Sequence, residues 1–549
     1  LLTVIRFSID CPFEDVRRSF TELLEKLKMT RMPVYTPVRA LPSFFISASQ
    51  TPPFLDDADA EEANYGASRA SAPSSEGSTS APTQLKRNRS SSGANAHIRR
   101  LIVDTFLTYG RISHNFRVLS FFPGYMERFH KFYSAIVRNP SGPLPQTWRY
   151  YIGIMAAAQH SCQYLVSLLQ LEFLQAGGDP AWIDGIAYAP GKLRRLVSLN
   201  TILAHQPWRL TPAHIGALVK ADADEETENW SMGEIVHAIV LLSTFHGLAS
   251  FALSCGLVPE LDTLGGTEEL DDVIVPSAGA EDEEAMAEEQ AEDAAGEVLQ
   301  QDLDEGIEGL GVSLAPNEQQ ELESHTVELF SRLRLAQDGD EPSEEAADEP
   351  AKEEEEEEEE EIEEDKCSGD RPSNAFEDIR LNPVIDDMAR FLHPPIELRH
   401  VDFDVKSEEY SVFRLQDYCW EDHGVELVDQ FLRGVGDLLD EEFKEALTIT
   451  DFSFSTQAAL LDTWPLRQAI WYYVLRLAGL AHDDYDYAQV NRFLNRRLKQ
   501  YVKKVACYPE ELDARDFVHF GFVLRAEEKC HINLLVSVAR KQAELVYGL

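Results

Sequence analysis

A long acidic segment divides the chain and restricts its folding more than any other feature of the sequence. Between Asp262 and Lys366 there are 41 acidic and four basic residues, a net charge of −37 out of the −47 of the whole chain. Like charges repel one another and aromatic residues are scarce here, so the segment cannot offset the entropy cost of ordering. We therefore predict a disordered linker over residues 262–374 that is dispensable for folding, with one transient helix over residues 322–335.

Helical patterns occupy both sides of the acidic segment. Residues 1–95 are rich in Pro, Ser, Ala and Gly, which predicts a largely disordered extension with one amphipathic helix over residues 13–27. Residues 96–261 and 375–549 show helical periodicity without β-alternation. The sequence therefore predicts an all-α protein with two helical domains, 96–261 and 375–549, joined by the acidic linker.

Composition argues against several classes of protein. Outside the acidic segment the chain carries only about −10, which does not favour a nucleic-acid surface. The seven cysteines are scattered without CxxC or Cys/His spacing, which favours a reducing compartment and argues against a structural zinc site. We predict no metal and no cofactor. Residues 235–259 lack charged side chains but contain His, Ser and Thr, so we predict a buried helix and no membrane span. The first residues lack the pattern of a signal peptide.

The region from Asp462 to Glu510 combines an apolar helix, an acidic turn and a basic helix. Apolar residues recur there at helical spacing, at Leu466, Ile470, Tyr473 and Leu477. Thr463 is placed to cap this helix, and Gly479 to end it. The acidic turn, residues 483–487 (DDYDY), follows. Taken alone, this turn has two interpretations, a solvated surface turn or a docking site, and the first is favoured.

Cys162 is the candidate nucleophile of the N-terminal part. The pattern predicts that it lies late in a long helix, with His160 about 160° away around the helix and the apolar Leu169 on its own face. A thiol attacks only as thiolate and needs a nearby base, cation or helix N-terminus. From the residues alone, a small buried core residue is the favoured interpretation, and an active thiol is the alternative.

Several longer segments resemble the sestrin family. The N-terminal ones are PLPQTWRYYIGIMAAAQHSCQYLV, GGDPAW, LAHQPW and HAIVLLSTFHGLASFALSCG, and the C-terminal ones are DYCWEDHG, LRQAIWYYV, DDYDY, QVNRFL, YVKKVACYPE and EEKCHINLLVSVARKQAELVY. The resemblance implies two helical halves, each similar to alkylhydroperoxidase D, packed together. It also implies a regulator in the cytoplasm, with the nucleus as a second location. This regulator restrains the target-of-rapamycin kinase complex by binding and inhibiting its activator, the larger GATOR subcomplex, and leucine releases the inhibition in some members.

The same resemblance implies a redox motif of Cys, Tyr two residues later, and His seven residues after the Cys. Here the first two positions are Cys162 and Tyr164, but Leu169 stands at the position of the His, and Leu165 at that of a second Cys. Because a relay without a base works poorly, we predict little hydroperoxide reductase activity. A thiol-dependent alkyl hydroperoxide reductase remains the alternative function.

A leucine site is also implied by the resemblance. Glu528 matches the residue that binds the ammonium group, and Arg467 the residue that binds the carboxylate. Thr463 and Leu466 match neighbours of that arginine. The two threonines of the family's lid correspond here either to Thr448 with Thr450 or to Ser455 with Thr456. The family's pocket Trp is absent, since Gly521 stands there between Phe520 and Phe522.

The acidic turn matches the family's partner-binding loop. Asp483, Asp484 and Tyr485 are the matching residues. The resemblance therefore favours a docking site for the GATOR partner over the solvated surface turn.

Overall fold

The structure is a computed structural model. It describes these residues: 2–29, 42–46, 87–220, 229–263, 316–338, 388–392, 400–401, 403, 410–415, 418–449 and 461–549. This part of the chain is mostly helical, as the sequence predicts.

The helices before the acidic segment come in the following order. They are α1 (Leu2–Asp10), α2 (Glu14–Met29), α3 (Arg87–Tyr109), α4 (His114–Leu119), α5 (Pro123–Tyr133), α6 (Gln146–Gln159), α7 (Gln163–Gln175), α8 (Gly191–Arg195), α9 (Val197–His205), α10 (Pro212–Val219) and α11 (Met232–Ser254). A π-helical turn, Ser134–Arg138, continues α5, and short 3-10 turns include Pro207–Arg209 after α9.

The helices of the remaining chain follow in the same way. They are α12 (Pro316–Asp338), α13 (Val425–Phe431), α14 (Val435–Thr448), α15 (Trp464–Leu477), α16 (Ala488–Phe493), α17 (Arg496–Cys507), α18 (Ala514–Val518) and α19 (Ala526–Gly548). A π-helical turn, Trp420–Gly424, precedes α13. A single parallel pair, β1 (Phe413–Arg414) with β2 (Leu480–Ala481), is the strand structure named in the described residues, and the sequence did not predict it.

One hydrophobic core spans both halves of the chain. Its centre is the packing of α11 from the N-terminal half against α19 from the C-terminal half. In α11 a capping box between Ser231 and Glu234 starts the helix, and nearly all later residues are buried. This helix is long and apolar enough to cross a membrane, but 94% of its apolar window is buried inside the protein. The buried helix predicted over residues 235–259 is therefore confirmed.

The prediction of a largely disordered extension is wrong for residues 2–29. The predicted amphipathic helix is present as α2, and α1 precedes it. Charged side chains tie α1 to the rest of the protein: Arg6 Nε donates to Asp262 at 2.8 Å, and Arg117 donates to Asp10. The sequence missed these contacts because their partners are more than 100 residues away.

The prediction of a disordered linker is wrong for residues 316–338. These residues form α12, which buries Leu322, Leu329 and Leu333 against α15 and α16. The Thr326 hydroxyl accepts the backbone N–H of Val523 at 2.9 Å, which fixes the helix to the C-terminal half. The apolar stripe seen in the sequence is therefore a packed face, because the neighbouring helices supply the burial that an isolated helix lacks.

Candidate functional site

The structure corrects the predicted position of Cys162. Helix α6 ends at Gln159, Ser161 adopts a left-handed conformation with φ of +50°, and Cys162 is the N-cap of α7. A helix N-terminus lowers the pKa of a thiol, but here burial dominates and raises the pKa of Cys162 to about 12, with only the Leu165 backbone N–H opposing it. Cys162 is fully buried, as predicted.

Tyr164 and a histidine missed by the sequence analysis lie beside this turn. The Tyr164 hydroxyl accepts the Asn115 backbone N–H at 3.0 Å, and the ring of His114 lies parallel to it with centroids 6.2 Å apart. His114 Nδ1 is 2.9 Å from the carbonyl oxygen of Val258. Leu169 is buried in the core. No side chain in the described residues hydrogen-bonds to the Cys162 sulfur, so the arrangement does not activate the thiol.

Arg467 stands in the first turn of α15 and is buried. Its Nη1 donates to the Thr463 hydroxyl, and its Nε has no hydrogen-bond partner. Thr463 occupies the N-cap position as predicted, but its side chain accepts from Arg467 instead of capping the backbone. Burial lowers the pKa of Arg467, and the negative charge of Asp462 partly opposes this. Within the described residues no carboxylate forms an ion pair with Arg467.

Glu528 lies in the first turn of α19, which packs against α15. Its carboxylate accepts the Arg525 backbone N–H at 2.8 Å and Arg525 Nη2 at 3.3 Å. Glu528 is only 4% exposed, so it lies inside the protein and not on a solvated helix face. One turn later, His531 Nε2 lies 3.3 Å from the carbonyl oxygen of Ala446, near the end of α14.

His531 is a site residue that the sequence analysis missed. Burial lowers its pKa to about 4, the hydrogen bond to Ala446 opposes this, and the charge of Arg467 lowers the pKa further. The imidazole is therefore neutral at pH 7 and lies within electrostatic reach of the guanidinium. Its spacing of three residues from Glu528 was the available signal, because that spacing places both side chains on one helix face. The structure thus brings Arg467 and His531 together where α14, α15 and α19 meet.

The other predicted leucine-site residues have different outcomes. Leu466 is buried in the core. Thr448 is exposed, and its hydroxyl donates to the Lys444 carbonyl oxygen at 2.9 Å, an ordinary contact within α14. Thr450, Ser455 and Thr456 lie outside the described residues.

Gly521 explains why no pocket Trp stands at that position. Its φ is +91°, and an added Cβ would lie 2.6 Å from Asn495 Oδ1. Asn495 caps α17 by accepting the Leu498 N–H and donating to the Gly521 carbonyl oxygen, both at 2.8 Å. Any larger residue at position 521 would break this cap. Phe520 is buried against Tyr501, with ring centroids 4.1 Å apart.

The acidic turn joins β2 to α16 and presents its carboxylates to solvent. Asp483 and Asp484 are exposed, and Asp483 forms a partly exposed ion pair with Arg414 of β1 at 3.2 Å. Tyr485 is half-buried and stacks on Tyr472 of α15 with ring centroids 4.0 Å apart. The Tyr487 hydroxyl accepts the His482 N–H at 3.1 Å. The acidic turn is therefore an exposed acidic surface that packs on the ring of Tyr472 through Tyr485.

These features define a helical protein with a buried cysteine in one half and, in the other, a buried charged site and an acidic turn at opposite ends of α15. The family model of the PA26 p53-induced proteins, the sestrins, matches residues 80–549. The chain belongs to the sestrin family.

Individual relatives agree with this assignment. The sestrin homolog of Dictyostelium discoideum is 34% identical over 546 residues, covering 100% of this chain and 81% of the relative. Sestrin-1 of Macaca fascicularis is 38% identical over 460 residues, covering 83% of this chain and 85% of the relative. Human sestrin-2 is 35% identical over 466 residues, covering 83% and 87%. The similarity therefore extends over both halves of the chain.

Proposed function

We propose that this protein is a negative regulator of target-of-rapamycin complex one that binds and inhibits the larger GATOR subcomplex and releases it when leucine binds. In this proposal it acts in the cytoplasm and the nucleus during stress and amino-acid starvation. The observation that carries the proposal is the buried guanidinium of Arg467, which has no carboxylate partner among the described residues. A buried unpaired cation costs free energy, and a ligand carboxylate removes that cost.

The surroundings of Arg467 support an amino acid as the ligand. Its α-carboxylate pairs with Arg467, and its ammonium group pairs with Glu528 on the facing helix. Each charge-assisted hydrogen bond of this kind contributes about 1.5–3 kcal/mol. In the described structure Arg525 pairs with Glu528. When the ligand enters, its ammonium group replaces Arg525 as the partner of Glu528. This replacement moves the start of α19, and through that movement leucine binding changes the protein surface.

The acidic turn supports binding of a protein partner with basic side chains. Exposed carboxylates steer association, and the stacked Tyr485 supplies the aromatic anchor found in interface hot spots. Helix α15 connects this turn to the leucine site, because Arg467 lies in its first turn and Tyr472 in its middle. A shift of α15 on leucine binding therefore reaches the turn directly.

Isothermal titration of L-leucine into the full chain tests the ligand part of the proposal. We expect saturable binding of one leucine per chain, with weaker binding of L-alanine, whose shorter side chain buries less apolar surface. D-leucine is the matched control for stereochemistry. Absence of heat with L-leucine at millimolar concentration, in a protein that is folded by circular dichroism, rejects leucine as the ligand.

The alternative function, a thiol-dependent hydroperoxide reductase, is not favoured. A thiol with a pKa of about 12 is almost entirely protonated at pH 7. Steady-state consumption of an alkyl hydroperoxide above that of the Cys162→Ser variant would restore this alternative.

A further inference from the structure

A cavity lies between the two halves, away from the proposed leucine site. It is about 40 Å³ in volume, and α9, the turn Pro207–Arg209, α15, α17, α19 and His400 line it. Arg540 lines it, twelve residues after Glu528 along α19 and therefore about 18 Å away. A cavity of this size exceeds the space that one water molecule needs.

Within the described part of the chain, three residues that line this cavity carry a buried N–H group without a hydrogen-bond acceptor. They belong to Arg540 (Nη1), Trp208 (Nε1) and His205 (Nδ1), and each residue is more than 90% buried. His205 Nε2 lies 2.8 Å from Gln159 Nε2 and accepts its N–H. The proton of the neutral ring is therefore on Nδ1. Burial lowers the pKa of His205 to about 3, so the ring is neutral and carries its proton on Nδ1. The cavity therefore offers donors and needs acceptors.

Arg540 is the guanidinium that lines this cavity, and Glu510 lies within electrostatic reach of it. Glu544 is the only acid among the described lining residues, and it already accepts Arg540 Nε at 2.9 Å and His246 Nδ1 at 2.7 Å. His246 Nε2 lies 2.9 Å from Asn200 Oδ1, whose orientation is fixed because Asn200 Nδ2 donates to the Met155 carbonyl oxygen. Both ring nitrogens of His246 thus face oxygen atoms. Glu544 is therefore already engaged by Arg540 and His246, while Arg540 Nη1 still lacks an acceptor among the described residues.

The opposite wall of the cavity is aliphatic. Leu203, Val474 and Ala543 line it. We propose that this cavity binds a short aliphatic monocarboxylate, of the size of acetate or propionate, with the carboxylate on Arg540, Trp208 and His205 and the alkyl group on the aliphatic wall. A free amino acid fits less well, because the ammonium group beside its carboxylate would meet the guanidinium of Arg540 and the neighbouring N–H donors. The site joins elements of both halves, and it stands independently of the proposed leucine site.

Saturation-transfer difference NMR with sodium acetate and the full chain tests this site. We expect saturation transfer to the acetate methyl group, because that group contacts the aliphatic wall. Trp208→Phe removes one donor and keeps an aromatic ring, so it should weaken acetate binding about tenfold. Trp182→Phe, at a tryptophan that does not line the cavity, is the matched control and should bind like the unchanged protein. Ala543→Leu keeps all three donors but fills the cavity, and it should abolish binding.

Each result supports or overturns the assignment. Weaker binding in Trp208→Phe and loss of binding in Ala543→Leu, with binding retained in Trp182→Phe, support the site. Absence of saturation transfer at 50 mM acetate, a concentration at which about half of even a very weak site would be filled, overturns it. Equal binding by all variants overturns it as well. Displacement of acetate by an equal concentration of chloride rejects a carboxylate in favour of a simple halide site.

Discussion

Cys162 and Arg467 both lie at the starts of helices and both are buried, yet burial has opposite consequences for them. The Cys162 thiol ordinarily titrates not far above neutral pH, so burial keeps it protonated and uncharged. The Arg467 guanidinium titrates so far above neutral pH that burial leaves it charged. The first site is therefore chemically inert, whereas the second retains a charge that a ligand can neutralise. The same burial thus leaves an uncharged thiol in one half and a charged guanidinium without a carboxylate partner among the described residues in the other.

The largest expected effect concerns the reactivity of Cys162. Its pKa rises from the usual 9.0 to about 12, which lowers the thiolate fraction about a thousandfold. We expect alkylation of native Cys162 by iodoacetamide at pH 7.5 to be at least a thousandfold slower than that of a free cysteine. Mass spectrometry of the labelled peptides measures this rate, and the partly exposed Cys419 is the internal control. Rapid labelling of Cys162 in folded protein would remove the contrast between the halves.

The next effect is on leucine binding. Arg467→Met keeps the length and the apolar stem of the side chain but removes the charge, so leucine binding should weaken at least a hundredfold. The free energy of unfolding without leucine should not fall, because the variant removes a buried cation that lacks a carboxylate partner. Titration calorimetry and denaturant unfolding measure the two quantities. A variant that is strongly destabilised but still binds leucine would assign Arg467 a structural role.

Local patterns predicted the helices well. The apolar spacing from Leu466 to Leu477 and the stop at Gly479 agree with α15, which ends at Leu477. The apolar run over residues 235–259 corresponds to α11. Both predictions succeeded because spacing along one helix is sufficient to place its buried face.

Long-range packing was not predictable from the same patterns. The turn at Ser161 breaks the helix expected around Cys162, and no Gly or Pro marks it. The contact of His114 with Tyr164 and the order of α12 depend on residues distant in sequence. The charged residues of the site were assigned through resemblance to a family, and their burial became known only from the structure.

An effect of intermediate size is expected on stability, where deleting α12 and deleting another part of the acidic segment should give different results. Deleting residues 316–338 should destabilise the C-terminal half by on the order of 2 kcal/mol, because three buried leucines lose their contacts. Deleting residues 342–364 removes a segment of the same length and is the control. Thermal unfolding measures both variants, and we expect the midpoint of the control to stay within a degree of the unchanged protein. Equal midpoints for both deletions would show that α12 does not stabilise the fold.

The smallest expected effect concerns Glu510, a carboxyl group whose pKa is also shifted by burial. Burial raises the pKa of Glu510 to about 7, and the folded state therefore binds more protons than the unfolded state between about pH 4.5 and 7. The contribution to stability is complete below pH 4.5 and is lost as the pH rises through 7. Glu510→Gln removes this titration, so it should stabilise the protein at pH 8 by at most about 1 kcal/mol, since the side chain is partly exposed, and not at pH 4. The same gain at both values would show that Glu510 does not titrate in this range.

The central claim is that the protein works by docking through the acidic turn, and one measurement tests it directly. Asp483→Ala with Asp484→Ala should weaken binding to the larger GATOR subcomplex at least tenfold, because two exposed carboxylates leave the interface. Glu14→Ala with Asp15→Ala removes the same charge from exposed residues of α2 and is the matched control. Co-precipitation of purified components, with circular dichroism on every variant, gives the answer. The account predicts that the first variant is folded and fails to bind while the control binds normally; normal binding by both contradicts it.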